Sequence, residues 1–256
     1  MFARFALLLA AGSAVVSAPV TVKYRIEQKI ESKVDLSGFG QGEQVQNQGA
    51  FWFVTISYSD SAGGRVVHAV LDSARLDAMM PTITAATIDS AKGTAYHGYL
   101  DAEGRLKSLT TLKPSTLGSQ FEGTLRLLHP SVKRGAAAGA TWVDTLDIST
   151  KTPQADLKSQ VVRNFTLVGS EAWEGTQATR VDVATVTKVS GSLETPGGTA
   201  EMMGGGPGTG AYYIAADGKV VGGKSSSVTD AIVTLAGAPG PIPVKTTTTT
   251  TVSVIK

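Results

Sequence analysis

Gly218-Lys-Val-Val-Gly-Gly223-Lys224-Ser225 fits the G-x-x-x-x-G-K-S spacing of a phosphate-binding loop. Such a loop works only between a buried strand and the N-terminus of a following helix, where backbone N–H groups converge on the phosphates. After Ser225, however, Val228, Asp230, Ile232 and Thr234 alternate with Thr229, Ala231, Val233 and Leu235, which is a strand period. The match reads as a turn and a strand. Gly204-Gly-Gly-Pro-Gly-Thr-Gly210 has the composition of an anion cradle, but Pro207 removes a donor and no basic residue lies close by in sequence. The stretch Gly197 to Gly210 is expected to be a flexible loop, with Met202 and Met203 packing beside it.

The three histidines, His68, His97 and His129, show none of the i,i+2 or i,i+4 pairings that let two imidazoles grip one metal. His129 precedes Pro130 and is expected at a helix C-terminus, where a partial positive charge is favourable. No G-x-S-x-G elbow follows the N-terminal segment, so no serine stands out as a nucleophile. Glu171 and Glu174, beside Trp173, read as solvated carboxylates of a turn. Asn164-Phe-Thr166 is a glycosylation sequon, relevant only in a eukaryotic secretory pathway. Trp52 and Trp142 read first as core or rim packing and second as stacking surfaces for a ligand.

The elements that must position these residues are long strands. Val22, Tyr24, Ile26, Gln28, Ile30, Ser32, Val34 and Leu36 share one parity, and Lys23, Arg25, Glu27, Lys29, Glu31, Lys33 and Asp35 share the other. A period of two held this long predicts a strand with one covered and one wet face. Its length, about 50 Å at ~3.3 Å per residue, requires curvature or a bulge. A solvated face is the mark of an antiparallel sheet. Residues 51–58, 66–71, 161–168 and 179–189 continue the theme, although Phe51 and Phe53 make the opposite face apolar too. Residues 244–256, with six consecutive Thr, read as a closing strand in preference to a low-complexity tail. Three hairpins share an Asp-to-Gly turn followed by a basic and an apolar residue: Asp60 to Val66, Asp101 to Leu106 and Asp217 to Val220. Between them, Leu117, Phe121, Leu125 and Leu128 recur at helical spacing, with Ser115 as cap and Pro130 as terminator. A second helix is expected from Pro81 to Ala91, stopped by Gly93, and Gly237 to Pro243 reads as a loop.

Composition sets the outer bounds. The chain has 256 residues, a net charge of +2 and no Cys, which excludes a nucleic-acid binder resting on a broad basic surface, disulfides and thiolate chemistry. The start, with Arg4, an apolar run through Val16, and Ser17-Ala18, reads as a secretory leader. Cleavage after Ala18 would leave Pro19 first, so Ala14 competes as a site. An uncleaved anchor is the other reading, since 18 uncharged residues separate Arg4 from Lys23.

The order of leader, long charged-and-apolar first strand, hairpins, central helix, Gly139-Ala-Thr-Trp142 turn and further hairpins resembles uncharacterised bacterial secreted or envelope β-proteins. It is similar, more distantly, to periplasmic lipoprotein carriers with an unclosed β-barrel whose concave face is covered by helices. The lipid-acceptor Cys of many envelope relatives is missing here. The resemblance implies a concave apolar surface able to hold acyl chains or a hydrophobic segment of a partner. The fold expected is mainly β (α+β), a curved antiparallel sheet or open half-barrel with one or two helices packed on it. Residues 1–18 would be the leader and 19–256 one β-rich domain, with halves 20–110 and 140–256 joined by a helical segment at 111–139. The expected function is non-catalytic binding or carriage of a hydrophobic ligand such as lipid, outside the cytoplasm. A structural or interaction role in the envelope is the alternative, and a hydrolase comes third. Trp52, Ile56, Phe121, Leu125 and Trp142 are the candidate ligand-binding residues. No cofactor, metal, nucleotide or nucleic acid is expected, and neither is a membrane span after cleavage; the expected partner is an apolar ligand or an envelope protein. Strand alternation serves a solid core and a lined cavity equally, so the state of the sheet interior is the open question.

Overall fold

A computed structural model describes residues 19–77, 85–133, 135–152, 155–195 and 197–255. The leader therefore lies outside the described residues, as do residues 81–84 of the second expected helix. Eleven strands run in the order β1 (Val20–Asp35), β2 (Glu43–Ser61), β3 (Gly64–Leu76), β4 (Ala95–Asp101), β5 (Leu106–Thr111), β6 (Thr141–Thr152), β7 (Ala155–Trp173), β8 (Thr176–Thr195), β9 (Gly198–Ile214), β10 (Val220–Leu235) and β11 (Ile242–Val254). Helix α1 (Ala85–Ala91) follows β3 and helix α2 (Thr116–Leu128) follows β5. The mainly-β expectation holds: the strands form one curled antiparallel sheet with spatial order β5-β4-β3-β2-β1-β11-β10-β9-β8-β7-β6. Among the described residues no helix is long and apolar enough to cross a membrane.

The three hairpins form where the Asp–Gly pattern places them. Gly63, Gly104 and Gly218 all take positive φ (76°, 77° and 83°), which costs a residue without a Cβ least. In two of the turns the Asp side chain bonds back to the loop: Asp101 Oδ1 accepts from the backbone N–H of Glu103 and Arg105, and Asp217 Oδ1 from that of Lys219. The Thr run is a strand, but it sits in the middle of the sheet. It pairs with β1 from Tyr24↔Val254 to Val34↔Val244, and with β10 on its other side. The ends of the described chain thus meet in the sheet centre, and its two edges, β5 and β6, are neighbours in sequence.

Helix α2 joins those edges and lies between them. Ser115 Oγ accepts the N–H of Gly118, capping the helix as expected. Leu117, Phe121, Leu125 and Leu128 are all buried in the common core. Phe121 sits 5.2 Å from the Trp52 ring and 6.2 Å from Tyr96. On the β5 side, Thr111 Oγ1 donates to Glu122 and Arg126 donates to the Leu109 carbonyl. On the β6 side, a Cβ on Gly123 would stand 3.4 Å from Ile148. Gly118 allows the close approach of Thr94, the residue just before β4: a Cβ there would meet Thr94 Cγ2 at 2.5 Å.

The Gly-rich stretch 197–210 corrects the sequence reading. From Gly198 it is strand β9, paired on both sides. Gly204, Gly206, Gly208 and Gly210 share the face on which α2 sits, hereafter the inner face. A Cβ on Gly208 would meet Thr185 Oγ1 at 2.5 Å and Ser227 Cβ at 2.9 Å, and one on Gly206 would meet the Val228 carbonyl at 2.0 Å. The flanking strands close over this stripe because no side chain is present there. Glycine has no hydropathy signal, so a period-two pattern was hidden in what reads as a loop.

The outer face has its own packing. Phe51, unexpected on a wet face, is buried between two guanidinium groups, Arg75 at 4.2 Å and Arg25 at 5.0 Å from its ring centre. Trp173 stacks on Tyr213 at 4.3 Å and covers Gly222. Glu171 belongs to strand β7 and not to a turn; it accepts from Arg180 and from the Tyr213 hydroxyl.

If α2 closes the seam through its apolar stripe, Phe121→Ala should cost about 3–5 kcal/mol. A urea titration checks this, with the midpoint falling at constant slope; a loss below about 1 kcal/mol would place the helix elsewhere.

Candidate functional site

The inner face is divided along the strands. At one end, under α2, the interior is filled by Tyr24, Ile26, Trp52, Val54, Ile56, Tyr96, Phe165 and Val181. Of the five candidate ligand residues, Trp52, Ile56, Phe121 and Leu125 are buried in this core and Trp142 packs against it, stacked on Phe165 at 5.5 Å. The structure brings all five together. Both indole N–H groups are engaged within the protein: Trp52 Nε1 donates to Gln28 and Trp142 Nε1 to the Ser131 carbonyl. Gln28, which interrupts the apolar face of β1, is thus the acceptor for the buried indole.

A polar cluster lies inside the same end. Arg163 on β7 and Asp144 on β6 form a two-pronged ion pair, Nε–Oδ1 and Nη2–Oδ2 both at 2.7 Å, with each side chain 1% exposed. Ser131 Oγ donates to Asp144 Oδ2, and the Arg163 guanidinium also lies 5.2 Å from the Phe165 ring centre. Sequence reasoning passed over this pair. The signal was present: Arg163 shares a parity with Val161, Phe165 and Leu167, and Asp144 shares one with Trp142, Leu146 and Ile148. Charges at apolar parity on two strands of one hairpin mark a buried pair, since neither is stable inside alone.

His129 does cap α2, but not as a cation. Its Nδ1 donates to the Leu125 carbonyl at 2.9 Å, leaving Nε2 to accept from the Tyr58 hydroxyl at 3.3 Å. Burial pushes its pKa down to about 4, and the Arg163 charge acts in the same direction. Burial likewise raises the Tyr58 phenol to about 12. With both ring nitrogens engaged and Ser131 bound to a carboxylate that Arg163 already holds, the cluster contains no nucleophile–base pair. Among the described residues there is no group of three or more His, Asp or Glu side chains able to hold a metal ion.

Beside α2 the packing opens. A small cavity of about 50 Å³, open to solvent at its mouth, lies between the helix and β1, β11, β10 and β9. Ile26, Leu127, Leu128, Tyr212 and Val252 supply its apolar wall, and Gln28, Thr124, Ser225 and Thr250 its polar border. Leu127 is 36% exposed, on an otherwise packed helix end where the Tyr212 hydroxyl donates to its carbonyl. Gly223, on the inner face opposite Val252 and Tyr212, leaves the floor without a side chain. Beyond it, the far ends of β6 to β11 and of β1 continue without a helix above them. There the inner positions are half-buried, whereas their outward neighbours are mostly exposed: Thr185, Thr187 and Val189 against Ala184, Val186 and Lys188. The curled sheet shields its own inner face, forming a trough.

Two outcomes follow from the buried cluster. Because His129 takes up a proton near pH 4 when folded and near 6.5 when unfolded, the unfolded chain gains that proton first as pH falls. Stability should therefore drop between pH 6.5 and about 4, by roughly 3 kcal/mol, relative to His129→Gln; parallel urea midpoints for the two proteins would show that the ring is not held neutral. For the ion pair, Asp144→Ala should cost about 3–5 kcal/mol because it leaves a buried guanidinium uncompensated, and adding Arg163→Met should recover part of that loss. Additive losses in this cycle would contradict a coupled pair.

No family model and no curated relative matches the chain. Among solved structures it is similar to a mutant porin of Rh. blastica, with 8% identity over 92% of this chain and 100% of that one, at a TM-score of 0.28. It is also similar to outer-membrane-expressed OmpT of Vibrio cholerae, with 6% identity over 93% of this chain and 98% of that one, at 0.20. OpdK of Pseudomonas aeruginosa, solved with vanillate, aligns at 7% identity over 92% of this chain and 99% of that one, also at 0.20. At these values the likeness carries no argument about activity, ligand or location.

Proposed function

We propose that the protein is a non-catalytic, extracytoplasmic carrier of a ligand with an apolar chain, seated in the cavity beside α2. The observation that carries this reading is the cavity itself, walled by Ile26, Leu127, Leu128, Tyr212 and Val252 and bordered by the inner-face residues Ser225 and Thr250. A folded chain normally fills such space, because each buried methylene left without neighbours forfeits transfer and dispersion energy. Here Gly223 adds no side chain to the floor, and Leu127 stays partly exposed at the edge of the core. The site is concave, mostly apolar and bordered by a few polar groups, which is the usual composition of a small-molecule site. The leader pattern of residues 1–18 supports the extracytoplasmic address.

The five residues first singled out act one step behind the ligand in this reading. They hold α2 in place, and α2 presents Leu127 and Leu128 to the cavity. An apolar dye whose fluorescence rises on leaving water should bind purified protein and be displaced by long-chain amphiphiles. Native mass spectrometry should detect a co-purified amphiphile. Leu127→Glu places a charge on the apolar wall and should weaken dye binding by roughly tenfold or more, with little change in melting temperature since the side chain is already partly exposed. Unaltered dye affinity in that variant, or no binding by the parent protein, would refute the proposal.

A further inference from the structure

The inner face beyond the cavity has a chemistry that the apolar wall does not explain. Register places Ser32 and Ile30 of β1, Thr246, Thr248 and Thr250 of β11, Ser225 and Ser227 of β10, the glycine stripe of β9, and Thr185 and Thr187 of β8 on this face. Every charged residue of these strands beyond the cavity goes to the other face: Lys29, Glu31 and Lys33, then Lys245, Asp230, Glu201 and Lys188. Lys224 borders the cavity, but its register position, opposite Thr251 and Ala211, is likewise on the outer face. The buried charge nearby, Arg163, is already neutralised by Asp144.

A surface that merely sheds water has no need to keep charges away. An unused sheet face normally carries Lys and Glu, as the outer face here does. The inner hydroxyls are also uncommitted. Ser32 Oγ pairs with Thr246 Oγ1, whereas the side-chain hydroxyls of Thr185, Thr187, Ser225, Ser227, Thr248 and Thr250 make no hydrogen bond to another described group. Each hydroxyl can both donate and accept, so together they form a two-way array spaced by the strand repeat, ~4.8 Å across strands and ~6.6 Å along them. Such an array matches ligand groups that also both donate and accept. It does not match an ionic group, which would lose its hydration against walls carrying no counter-charge.

Building on the carrier reading above, we infer that the amphiphile carries an uncharged, hydroxylated headgroup of the glycoside type. Its apolar chain occupies the cavity beside α2, and its headgroup lies along the trough on the hydroxyls of β8, β10 and β11. The glycine stripe of β9 adds no side chain of its own, and Thr185 and Ser227 lean over Gly208 from the strands on either side, so the ring lies on these hydroxyl-bearing side chains. The order of contacts follows the order of the wall: Leu127, Leu128 and Val252 first, then Thr250 and Ser225, then Thr248, Ser227 and Thr185.

The test holds the chain constant and changes only the headgroup. Dodecyl maltoside, dodecanoate and dodecyltrimethylammonium compete, each below its micelle concentration, for the dye bound to full-length protein. Dodecyl maltoside should displace the dye at a concentration roughly tenfold or more below the two ions. The isosteric double variant Ser225→Ala/Thr250→Val should raise the maltoside concentration needed several-fold and leave that of dodecanoate unchanged, with an unaltered urea midpoint. Equal or better displacement by either ion overturns the headgroup inference while leaving the carrier reading intact. Absence of dye binding overturns both.

Discussion

The docking of α2 between β5 and β6 is the contact on which the remaining architecture depends. A meander of eleven strands whose described ends pair in the sheet centre, β1 on β11, has only those two edges left. Unpaired edges are a liability, and joining them to each other would yield a closed barrel. Here the connection between them is itself a helix, and that helix occupies the gap. Thr111 and the Leu109 carbonyl bond to Glu122 and Arg126 on one side, while Ile148 packs at Gly123 on the other. Burial of Leu117, Phe121, Leu125 and Leu128, each worth about 1.5–3 kcal/mol, holds the helix there. Because α2 has only 13 residues, it covers one end of strands that run to 20, and the other end must remain a trough.

The polar cluster belongs to the same construction. Asp144 sits on the edge strand β6 at the seam and Arg163 on its neighbour β7, Ser131 lies just past the helix, and His129 is the helix cap itself. Their bonds tie the end of α2 to β6 and β7 on one side and, through Tyr58, to β2 on the other. Breaking a buried pair costs more than an exposed pair ever contributes, so this cluster penalises any other seating of the helix. It is dense in ionisable groups, yet every nitrogen of His129 and both carboxylate oxygens of Asp144 are already engaged. These groups position the helix, whereas in the cavity the hydroxyls of Ser225 and Thr250 and the apolar side chain of Leu127 face open space.

Much of the fold was legible because strand alternation and helical spacing are local. The parity of Val22 to Leu36, the Asp–Gly turns, the Ser115 cap and the Leu117-Phe121-Leu125-Leu128 stripe all depend on neighbours within a few residues. The phosphate-loop match failed for the same local reason: Gly222 and Gly223 sit in a strand, one beneath Trp173 and the other on the cavity floor. Strand β9 was missed because four alternating glycines carry a period with no hydropathy. His129 was placed correctly at the end of its helix and given the wrong charge, since its solvation depends on Tyr58, 71 residues away.

By itself, then, the amino-acid order determined an antiparallel sheet of long strands, its turns, one amphipathic helix and the division of β1 into a charged and an uncharged face. It also determined what chemistry is absent, since a chain without Cys has no thiolate. Only the tertiary structure decided that the interior is filled at one end and open at the other. Alternation records which side a residue faces, whereas filling depends on what arrives opposite it. For Trp52 and Ile56 that is the core under α2; for Thr185, Thr248 and Ser227, half-buried within the curl of the sheet, no helix arrives. Both environments satisfy the same period of two, so the distinction between core and trough arises from the length of α2 against the length of the strands it spans.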